Sequence, residues 1–294
     1  GNFYEHCRVN ATHMRAFHPD LIPEGRDVVK ADTSKKVLVI GGGPAGMEAA
    51  TVAAQRGHKV TLVEKNNYLG GLLIFANAIK GPHENLTNFN NYLQKQLEIN
   101  GVEVLKNTEA DADYIKSFGA DAVILATGGV RDTLGFKSTG ATKVMTMDEI
   151  AFGVEGEYIV VVGGNAQAVD VTQWLQAQGK TVTIISPESA DILGKGQSSW
   201  VRTFTNPMIY ARGTRVWQNA QVKSVGEGTV TFSGETGVDM TVKCDVLIEA
   251  MDMLPNTSII DGLKDIEAVA VGDCFKPFNI AEAIGSGNMA ARKI

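Results

Sequence analysis

Three glycines between residues 41 and 46 are spaced as a dinucleotide pyrophosphate requires. Gly41, Gly43 and Gly46 follow an apolar run at residues 37–40 and precede a helical pattern at residues 45–56. The first glycine allows a tight turn, the second lets the backbone approach phosphates, and the third permits close packing of helix on strand. Because unpaired N–H groups and the helix dipole favour anions at a helix amino terminus, this pattern predicts a nucleotide site.

A carboxylate ends the next strand pattern. The apolar run at residues 60–63 is followed by Glu64, 18 residues after Gly46. A carboxylate at this place can accept hydrogen bonds from the ribose hydroxyls of an adenosine. Strand, glycine turn, helix, second strand and acid in this order favour nucleotide binding over a bare glycine motif. The alternative is a structural turn in a relic fold that no longer holds a ligand.

The same order of elements begins again at Tyr158. A strand pattern at residues 158–162 leads to a turn at Gly163, a helical pattern at 166–178 and a second strand at 181–185. Gly57 and Gly179 occupy equivalent helix-ending positions, where positive φ is favoured. Strands that alternate with helices predict a parallel sheet. The sequence therefore predicts an α/β fold with two Rossmann-like βαβ dinucleotide-binding domains, the second inserted into the first.

The later elements set the predicted domain division. Short β patterns between residues 216 and 248 are followed by a strand at 268–271, the pair Gly272-Asp273, and a helix at 280–294 that we expect to return to the first domain. We predict a connecting arm at residues 1–34, a first domain at 35–150 plus 263–294, and a second domain at 151–262.

The bulk composition excludes several classes of protein. The 294-residue chain is 44% hydrophobic and carries a net charge of -6 with no basic stripe, which argues against a nucleic-acid partner. No apolar run approaches the roughly twenty residues of a membrane span. The first thirty residues are too polar for a signal peptide. We therefore expect a globular protein of the cytoplasm that has no membrane partner.

The cysteines limit the redox chemistry. Cys7, Cys244 and Cys274 form no C-x-x-C pair, so the chain offers neither a disulfide framework nor a redox-active dithiol. A free-standing disulfide reductase resembling thioredoxin reductase shares the expected fold but needs such a pair. That alternative is therefore disfavoured.

Several motifs together resemble the two-dinucleotide-binding-domain flavoprotein family. Besides the first glycine turn, the chain has Gly70-Gly71, an Ala126-Thr127-Gly128 turn and Gly272-Asp273. In that family the Gly-Asp acid binds the ribityl or pyrophosphate part of FAD, and Asp273 takes this role by resemblance. The resemblance implies a cofactor site at Gly41, Gly43, Pro44, Ala45, Gly46, Glu64, Lys65, Gly71, Leu72, Ala126, Thr127, Gly128, Gly272 and Asp273.

The amino-terminal arm resembles one branch of that family. Cys7-Arg-Val-Asn-Ala-Thr with His18-Pro19 is similar to the junction in old yellow enzyme-like NADH:flavin oxidoreductases, 2,4-dienoyl-CoA reductase and trimethylamine dehydrogenase. Those proteins carry an FMN-binding TIM barrel and a [4Fe–4S] cluster before a module like this one. The resemblance implies that Cys7 is one ligand of such a cluster in a longer parent, because a cluster needs four thiolates. The barrel would then be this module's partner, as a domain or a separate subunit.

The second glycine turn departs from the family pattern. Asn165 and Ala168 replace the second and third glycines after Gly163. Asn165 is the more serious change because a side chain stands where the backbone should meet the pyrophosphate. The following strand ends at Ser186, and no arginine stands nearby to receive a 2′-phosphate. If a nicotinamide nucleotide binds at Gly163, Asn165 and Ala168, NADH is therefore favoured over NADPH.

Two functions therefore compete. The first is an electron-transfer module in which NADH reduces FAD and electrons pass to the FMN and iron–sulfur barrel. Because the cofactors carry this chemistry, no catalytic side chain is predicted. The second is a non-catalytic or vestigial module that binds ADP or nothing and has a structural role. The changes at Asn165 and Ala168 favour the second function, whereas the intact first turn and Asp273 favour the first.

Overall fold

The structure is a computed structural model that describes residues 7–13, 25, 27–263 and 265–294. His18-Pro19 of the predicted arm lies outside the described residues. The chain forms two compact units. Unit 1 comprises Gly1–Asn77, Glu84–Val130 and Met253–Ile294, and unit 2 comprises Ala78–His83 and Arg131–Asp252.

Strands and helices largely alternate through the first part of the chain. In order they are β1 (Lys36–Ile40), α1 (Pro44–Gln55), β2 (Lys59–Val63), α2 (Leu72–Lys80), α3 (Leu86–Ile99), β3 (Glu103–Leu105), α4 (Ala112–Phe118), β4 (Ala122–Leu125) and β5 (Val130–Arg131). The middle of the chain continues with β6 (Lys143–Thr146), β7 (Tyr158–Val162), α5 (Ala166–Ala177), β8 (Thr181–Ile185), α6 (Ser199–Ala211) and β9 (Arg215–Trp217). The remaining elements are β10 (Gln221–Gly226), β11 (Thr229–Ser233), β12 (Asp239–Lys243), β13 (Val246–Glu249), β14 (Met253–Leu254), β15 (Ala268–Ala270) and α7 (Ile280–Ala291).

Each unit is built on a five-stranded parallel sheet. The order is β15-β4-β1-β2-β3 in unit 1 and β6-β13-β7-β8-β9 in unit 2. Unit 2 also has an antiparallel sheet of β10, β11 and β12. Strands β1 and β7 are each buried along four consecutive residues, because each has a neighbouring strand on both sides and is covered on its faces. Val160 and Val162 of β7 pack against Val230 and Phe232 of the antiparallel sheet. The predicted pair of Rossmann-like α/β domains is confirmed.

The observed division of the chain differs from the predicted boundaries. The predicted divisions at 150/151 and 262/263 lie later in the chain than the observed ones at 130/131 and 252/253. Strand β6 explains the first difference, since its residues pair with β13 in the sheet of unit 2. A strand of four residues on the edge of a sheet leaves little signal in the sequence.

Matching glycines end the first helix of each unit. Gly57 and Gly179 both adopt positive φ, at 96° and 78°. The following residues, His58 and Lys180, donate backbone N–H groups to Ala53 and Leu175 and so satisfy carbonyls at the helix ends. Within the described residues, no helix combines the length and apolar composition that a bilayer crossing requires.

Candidate functional site

The turn after β1 has no room for a side chain at Gly41 or Gly46. Gly41 has φ 107°, and a Cβ atom on it would stand 2.2 Å from the carbonyl oxygen of Ala126. A Cβ atom on Gly46 would stand 1.9 Å from the carbonyl oxygen of Gly41. Real Cβ contacts are never this short, so both positions require glycine. The turn therefore holds the amino terminus of α1 close to the carboxyl ends of β1 and β4.

The amino terminus of α1 is open. Gly43 precedes the helix with φ -76° and ψ -179°, and no side chain caps the helix. No heavy atom lies within 4 Å of the position that a Cβ atom on Gly43 would take. The first N–H groups of a helix have no intrahelical acceptor, and Pro44 has no N–H at all. Free N–H groups beside open space fit a nucleotide pyrophosphate.

Glu64 braces the same turn. Its buried carboxylate accepts hydrogen bonds from the backbone N–H of Gly42 and from the backbone and side chain of Asn66, each at 2.8 Å. A carboxylate can accept about four hydrogen bonds, so roughly one position remains for a ribose hydroxyl. The sequence indicated the acid but not its contact with Gly42. The neighbouring Lys65 is exposed.

A second glycine pair packs on the turn. Gly70 donates its N–H to the carbonyl oxygen of Gly42 at 2.8 Å. Gly71 has φ 50°, and a Cβ atom on it would lie 3.3 Å from Cα of Gly43. Helix α2 begins directly afterwards at Leu72. Gly71 and Leu72 therefore lie beside the open space next to Gly43.

The carboxyl-terminal motif also reaches α1. Gly272 has φ 62°, and a Cβ atom on it would lie 2.8 Å from Cβ of Ala45. The half-buried Asp273 follows, and its carboxylate accepts the N–H of Phe278 at 3.4 Å. A cavity of about 470 Å³ opens here, lined by Gly272, Phe275, Lys276, Phe278, Glu282 and Ser286. The structure thus brings the Gly-Asp pair to the first glycine turn, although some 230 residues separate them in the chain.

Two hydrogen bonds connect the Ala126-Thr127-Gly128 turn of unit 1 to Cys274 and Asn256. The hydroxyl of Thr127 donates to Sγ of Cys274 at 3.2 Å, and that thiol donates to the carbonyl oxygen of Asn256 at 3.0 Å. Ala126 is buried against Gly41, and Gly128 has φ 76°. Sequence reasoning missed Cys274, Phe275 and Phe278, for which position after Gly272-Asp273 is the one available signal.

The turn of unit 2 has the same backbone but a different occupant. Gly163 has φ 132°, and its Cβ position lies 2.2 Å from the carbonyl oxygen of Ala250. Asn165 caps α5, because its Oδ1 accepts the N–H of Ala168 at 2.9 Å. Its Nδ2 donates to the carbonyl oxygen of Ala250 and to Asp252, both at 3.0 Å. The side chain of Asn165 therefore fills the place of a phosphate.

A loop covers the same helix end. The carbonyl oxygen of Lys195 accepts the N–H of Ala166 at 2.7 Å, and Gly194 donates to the carbonyl oxygen of Gly164 at 2.6 Å. The Lys195 amine lies 3.3 Å from Glu188 and 3.5 Å from Asp252. The hydrogen bond to Glu188, with the charges of both carboxylates, raises the pKa of Lys195.

These contacts decide whether a nicotinamide nucleotide fits. The N–H groups of Ala166 and Ala168 are already bonded to protein oxygens, and two carboxylates stand nearby. Ser186, which is buried, takes the place that Glu64 has in unit 1 and offers no carboxylate for a ribose. As they stand, the residues of this turn do not fit a pyrophosphate. Sequence reasoning identified Asn165 but missed Lys195.

The cysteines are separate from one another. All three are free thiols, and burial raises the pKa of Cys244 to about 12, which makes it unreactive. Cys7 is half-buried, and its Sγ accepts the N–H of Asn10 at 3.4 Å. In the part of the chain that the structure describes, no group of three or more His, Cys, Asp or Glu side chains could hold a metal ion.

Known proteins are similar to this chain in sequence and in fold. Residues 35–272 match the family described as pyridine nucleotide-disulphide oxidoreductase. Cinnamate reductase of Clostridium sporogenes is 35% identical over 274 residues, which cover 90% of this chain and 40% of that protein. NADH oxidase of Thermoanaerobacter brockii is 32% identical over 282 residues, which cover 91% and 42%. A solved complex of 2-naphthoyl-CoA reductase is 26% identical with a TM-score of 0.85, covering 98% of this chain and 43% of that one.

The chain belongs to the pyridine nucleotide-disulphide oxidoreductase family. It has the FAD/NAD(P)-binding Rossmann fold and is similar to the carboxy-terminal module of the old yellow enzyme-like and trimethylamine dehydrogenase family, so the predicted resemblance is confirmed. The chain spans about two fifths of the length of the relatives it matches.

Proposed function

We propose that unit 1 binds FAD through its ADP half and that the chain serves as the flavin-carrying module of a longer oxidoreductase. The uncapped, open amino terminus of α1 at Gly43 is the observation that carries this proposal. An anion bound there gains hydrogen bonds and a favourable helix dipole. FAD supplies reversible redox chemistry when bound, and the protein supplies binding and orientation.

Each residue of the proposed site has a role that follows from its position. The backbone from Gly43 to Gly46, including Pro44 and Ala45, would hold the pyrophosphate. Glu64 and Lys65 would lie at the adenosine ribose. The part of FAD that leads from the pyrophosphate toward the flavin ring would be lined by Gly71, Leu72, Ala126, Thr127 and Gly128. Gly272 and Asp273 would bind the ribityl or pyrophosphate part, where the carboxylate of Asp273 can accept a hydrogen bond from a ribityl hydroxyl.

The proposed partner is an FMN-binding TIM barrel with a [4Fe–4S] cluster, in the same parent chain or in a separate subunit. Cys7 would be one cluster ligand. Its Sγ already accepts a backbone N–H from Asn10, three residues on. Hydrogen bonds to sulfur ligands tune the potential of such clusters. Electrons would then pass between the flavin of this module and the partner.

NADH is the proposed source of electrons, yet the second turn is closed to it. Gly163, Asn165 and Ala168 would hold the pyrophosphate only after residues 193–197 move and the Asn165 cap opens. We therefore expect NADH to bind weakly. A second candidate function, an ADP-binding module without redox activity, is favoured by this same closed turn.

An absorbance spectrum of the purified chain, reconstituted with FAD, separates the two functions. We expect flavin bands near about 370 and 450 nm, which arise from the cofactor itself. Calorimetry with FAD and with ADP gives the affinities. The proposal fails if FAD binds no more tightly than ADP and no flavin is retained after gel filtration. Bleaching by NADH under anaerobic conditions then measures whether the second unit takes part.

A further inference from the structure

Three segments of unit 1 that are distant in the chain meet at the thiol of Cys274. Its Sγ accepts a hydrogen bond from the hydroxyl of Thr127 at 3.2 Å and donates one to the carbonyl oxygen of Asn256 at 3.0 Å. These partners lie 147 and 18 residues before Cys274 in the chain. At 1% exposure Cys274 is closed to solvent. The thiol therefore finds both a donor and an acceptor inside the protein.

Cys274 ends the short turn that carries Asp273. One turn of 3-10 helix runs from Gly272 to Cys274. At its beginning the backbone N–H of Gly272 donates to Oγ of Ser286 at 2.9 Å. At its end the thiol of Cys274 makes the two hydrogen bonds described above. Side chains therefore attach the turn at both ends, and Asp273 lies between the two attachments.

Asp273 also packs closely on the segment that follows Thr127. A Cβ atom on Gly129 would lie 3.4 Å from Cβ of Asp273, 2.9 Å from Cε of Met253 and 3.0 Å from the carbonyl oxygen of Leu254. Such close packing leaves no slack, and packed protein interiors transmit small displacements. A shift of the Thr127 segment would therefore displace Asp273 as well.

The side chain of Cys274 has the chemistry that its two partners require. A thiol is a weak donor and a weak acceptor, whereas an apolar side chain of similar size is neither. Such an apolar residue would fill the same part of the core, but it would leave the half-buried hydroxyl of Thr127 without this acceptor. Loss of a hydrogen-bond partner inside a protein costs free energy. The two bonds therefore give Cys274 a role beyond filling space.

We propose that Cys274 and Thr127 form a positioning pair that holds the carboxylate of Asp273 where it accepts a hydrogen bond from a ribityl hydroxyl of FAD. This inference rests on the proposed function, in which FAD binds to unit 1. A carboxylate attracts a hydroxyl donor and repels a phosphate, so the ribityl group is the part of FAD that suits it. ADP has the groups that bind at Gly43 and Glu64 but no ribityl group. The pair should therefore affect the affinity for FAD and not that for ADP.

Titration calorimetry of the full chain with FAD and with ADP tests the pair. Cys274→Ala removes both bonds of the thiol, and Thr127→Val removes the hydroxyl but keeps the shape of its side chain. Each substitution should weaken FAD binding by about 3- to 10-fold, which corresponds to one neutral hydrogen bond, and should change ADP binding by less than about twofold. The double variant should lose no more than Cys274→Ala alone, because both substitutions remove the same hydrogen bond.

A conservative variant and a matched control separate positioning from packing. Cys274→Ser keeps a donor and an acceptor, so it should retain more FAD affinity than Cys274→Ala. Cys244→Ala is the control, because it removes the same sulfur from a buried position in the core of unit 2. It should lower the melting temperature as Cys274→Ala does but leave both affinities unchanged. Thr127→Val, at a half-buried side chain, tests the same bond if Cys274→Ala fails to fold.

Two results would overturn the positioning pair and leave the proposed function intact. The first is an FAD affinity in Cys274→Ala and Thr127→Val that equals that of the unmodified chain. The second is an equal loss of affinity for FAD and ADP, which would mean a general structural effect. If the unmodified chain binds no FAD, the proposed function fails and this inference fails with it. The titration of the unmodified chain therefore distinguishes the two failures.

Discussion

Gly41 and Gly163 begin turns with nearly the same backbone. In both units a Cβ atom on this glycine would stand 2.2 Å from the carbonyl oxygen of the alanine that follows a central strand. The residues two positions on, Gly43 and Asn165, also match, with φ -76° and ψ -179° in one and φ -78° and ψ 179° in the other. The duplication of the βαβ unit therefore extends to single dihedral angles.

The helix ends differ in what satisfies their N–H groups. In unit 1 no side chain caps α1, and the space beside Gly43 is empty. In unit 2 Asn165 and the carbonyl oxygen of Lys195 accept the first N–H groups of α5. A glycine turn of the correct shape is therefore not sufficient for anion binding. The N–H groups must also be free, because an N–H that already has an acceptor gains little from a phosphate.

The largest expected effect comes from closing the first turn. Gly46→Val places a side chain where even a Cβ atom would lie 1.9 Å from a backbone oxygen. We expect a loss of roughly 4 kcal/mol or more in the free energy of unfolding and no retained FAD, since overpacking against backbone cannot be relieved by a rotamer change. Thermal melting and flavin absorbance measure both effects. Gly43→Ala, at an open position, is the control and should keep the native melting temperature.

Gly43→Asn converts the first turn into the second. The backbone at Gly43 already matches that at Asn165, so the new side chain can cap α1 without strain. We expect unchanged or slightly raised stability but a loss of about 10- to 100-fold in affinity for FAD and ADP, as one charge-assisted hydrogen bond is worth about 1.5–3 kcal/mol. Titration calorimetry is the measurement. Undiminished ADP affinity would show that the phosphate does not bind at this helix end.

The reverse substitution, Asn165→Gly, should open the second turn. It removes the cap on Ala168 and the bond to Asp252, at a cost of about 1 kcal/mol in stability. We expect NADH to bind roughly tenfold more tightly than to the unmodified chain, since Lys195 still occupies the N–H of Ala166. Fluorescence titration with NADH tests this. Equal NADH affinity in the two chains would mean that the Lys195 loop alone keeps the site closed.

The smallest effect concerns equivalent acids in the two first helices. Glu48 of α1 accepts a hydrogen bond from Asn288 at 2.7 Å, and desolvation in the packing of α1 with α7 raises its pKa despite that bond and the charge of Arg292. Asp170 of α5 instead pairs with Lys80 at 2.8 Å.

A raised pKa in the folded state means that folding favours the protonated acid. The contribution of Glu48 to stability is therefore complete below the unfolded pKa and is lost as the pH rises through the folded pKa. Glu48→Gln should remove this loss of stability. The free energy of unfolding of the variant, relative to the unmodified chain, should therefore increase as the pH rises from the unfolded pKa of Glu48 to its folded pKa. Asp170→Asn should lower stability by at most about 1 kcal/mol, because the ion pair is partly exposed. Denaturation at a series of pH values gives both curves. A parallel pH dependence in Glu48→Gln would contradict the assignment.

Much of the fold follows from local patterns. Strands at residues 158–162 and 181–185 have the predicted bounds, and α1 and α5 begin within one residue of prediction. Helix α4 was missed although Asp111 caps it and Gly119 ends it, which are recognised signals. Helix α6 was missed for another reason. Trp200, Phe204 and Met208 face solvent and Pro207 lies inside the helix, so its pattern does not indicate a helix packed on a core.

The sequence by itself determined which residues form the two turns, because a backbone with no room for a Cβ atom can be built only with glycine. It also determined that Asn165 differs from Gly43. Only the tertiary structure decided whether the first N–H groups of each helix have acceptors within the protein. The acceptor from Lys195 is a backbone carbonyl some thirty residues from Gly163, and every residue type has such a carbonyl, so no side chain marks it in the sequence. For the same reason Gly272 could be joined to Ala45 only when the fold brought two distant segments into contact.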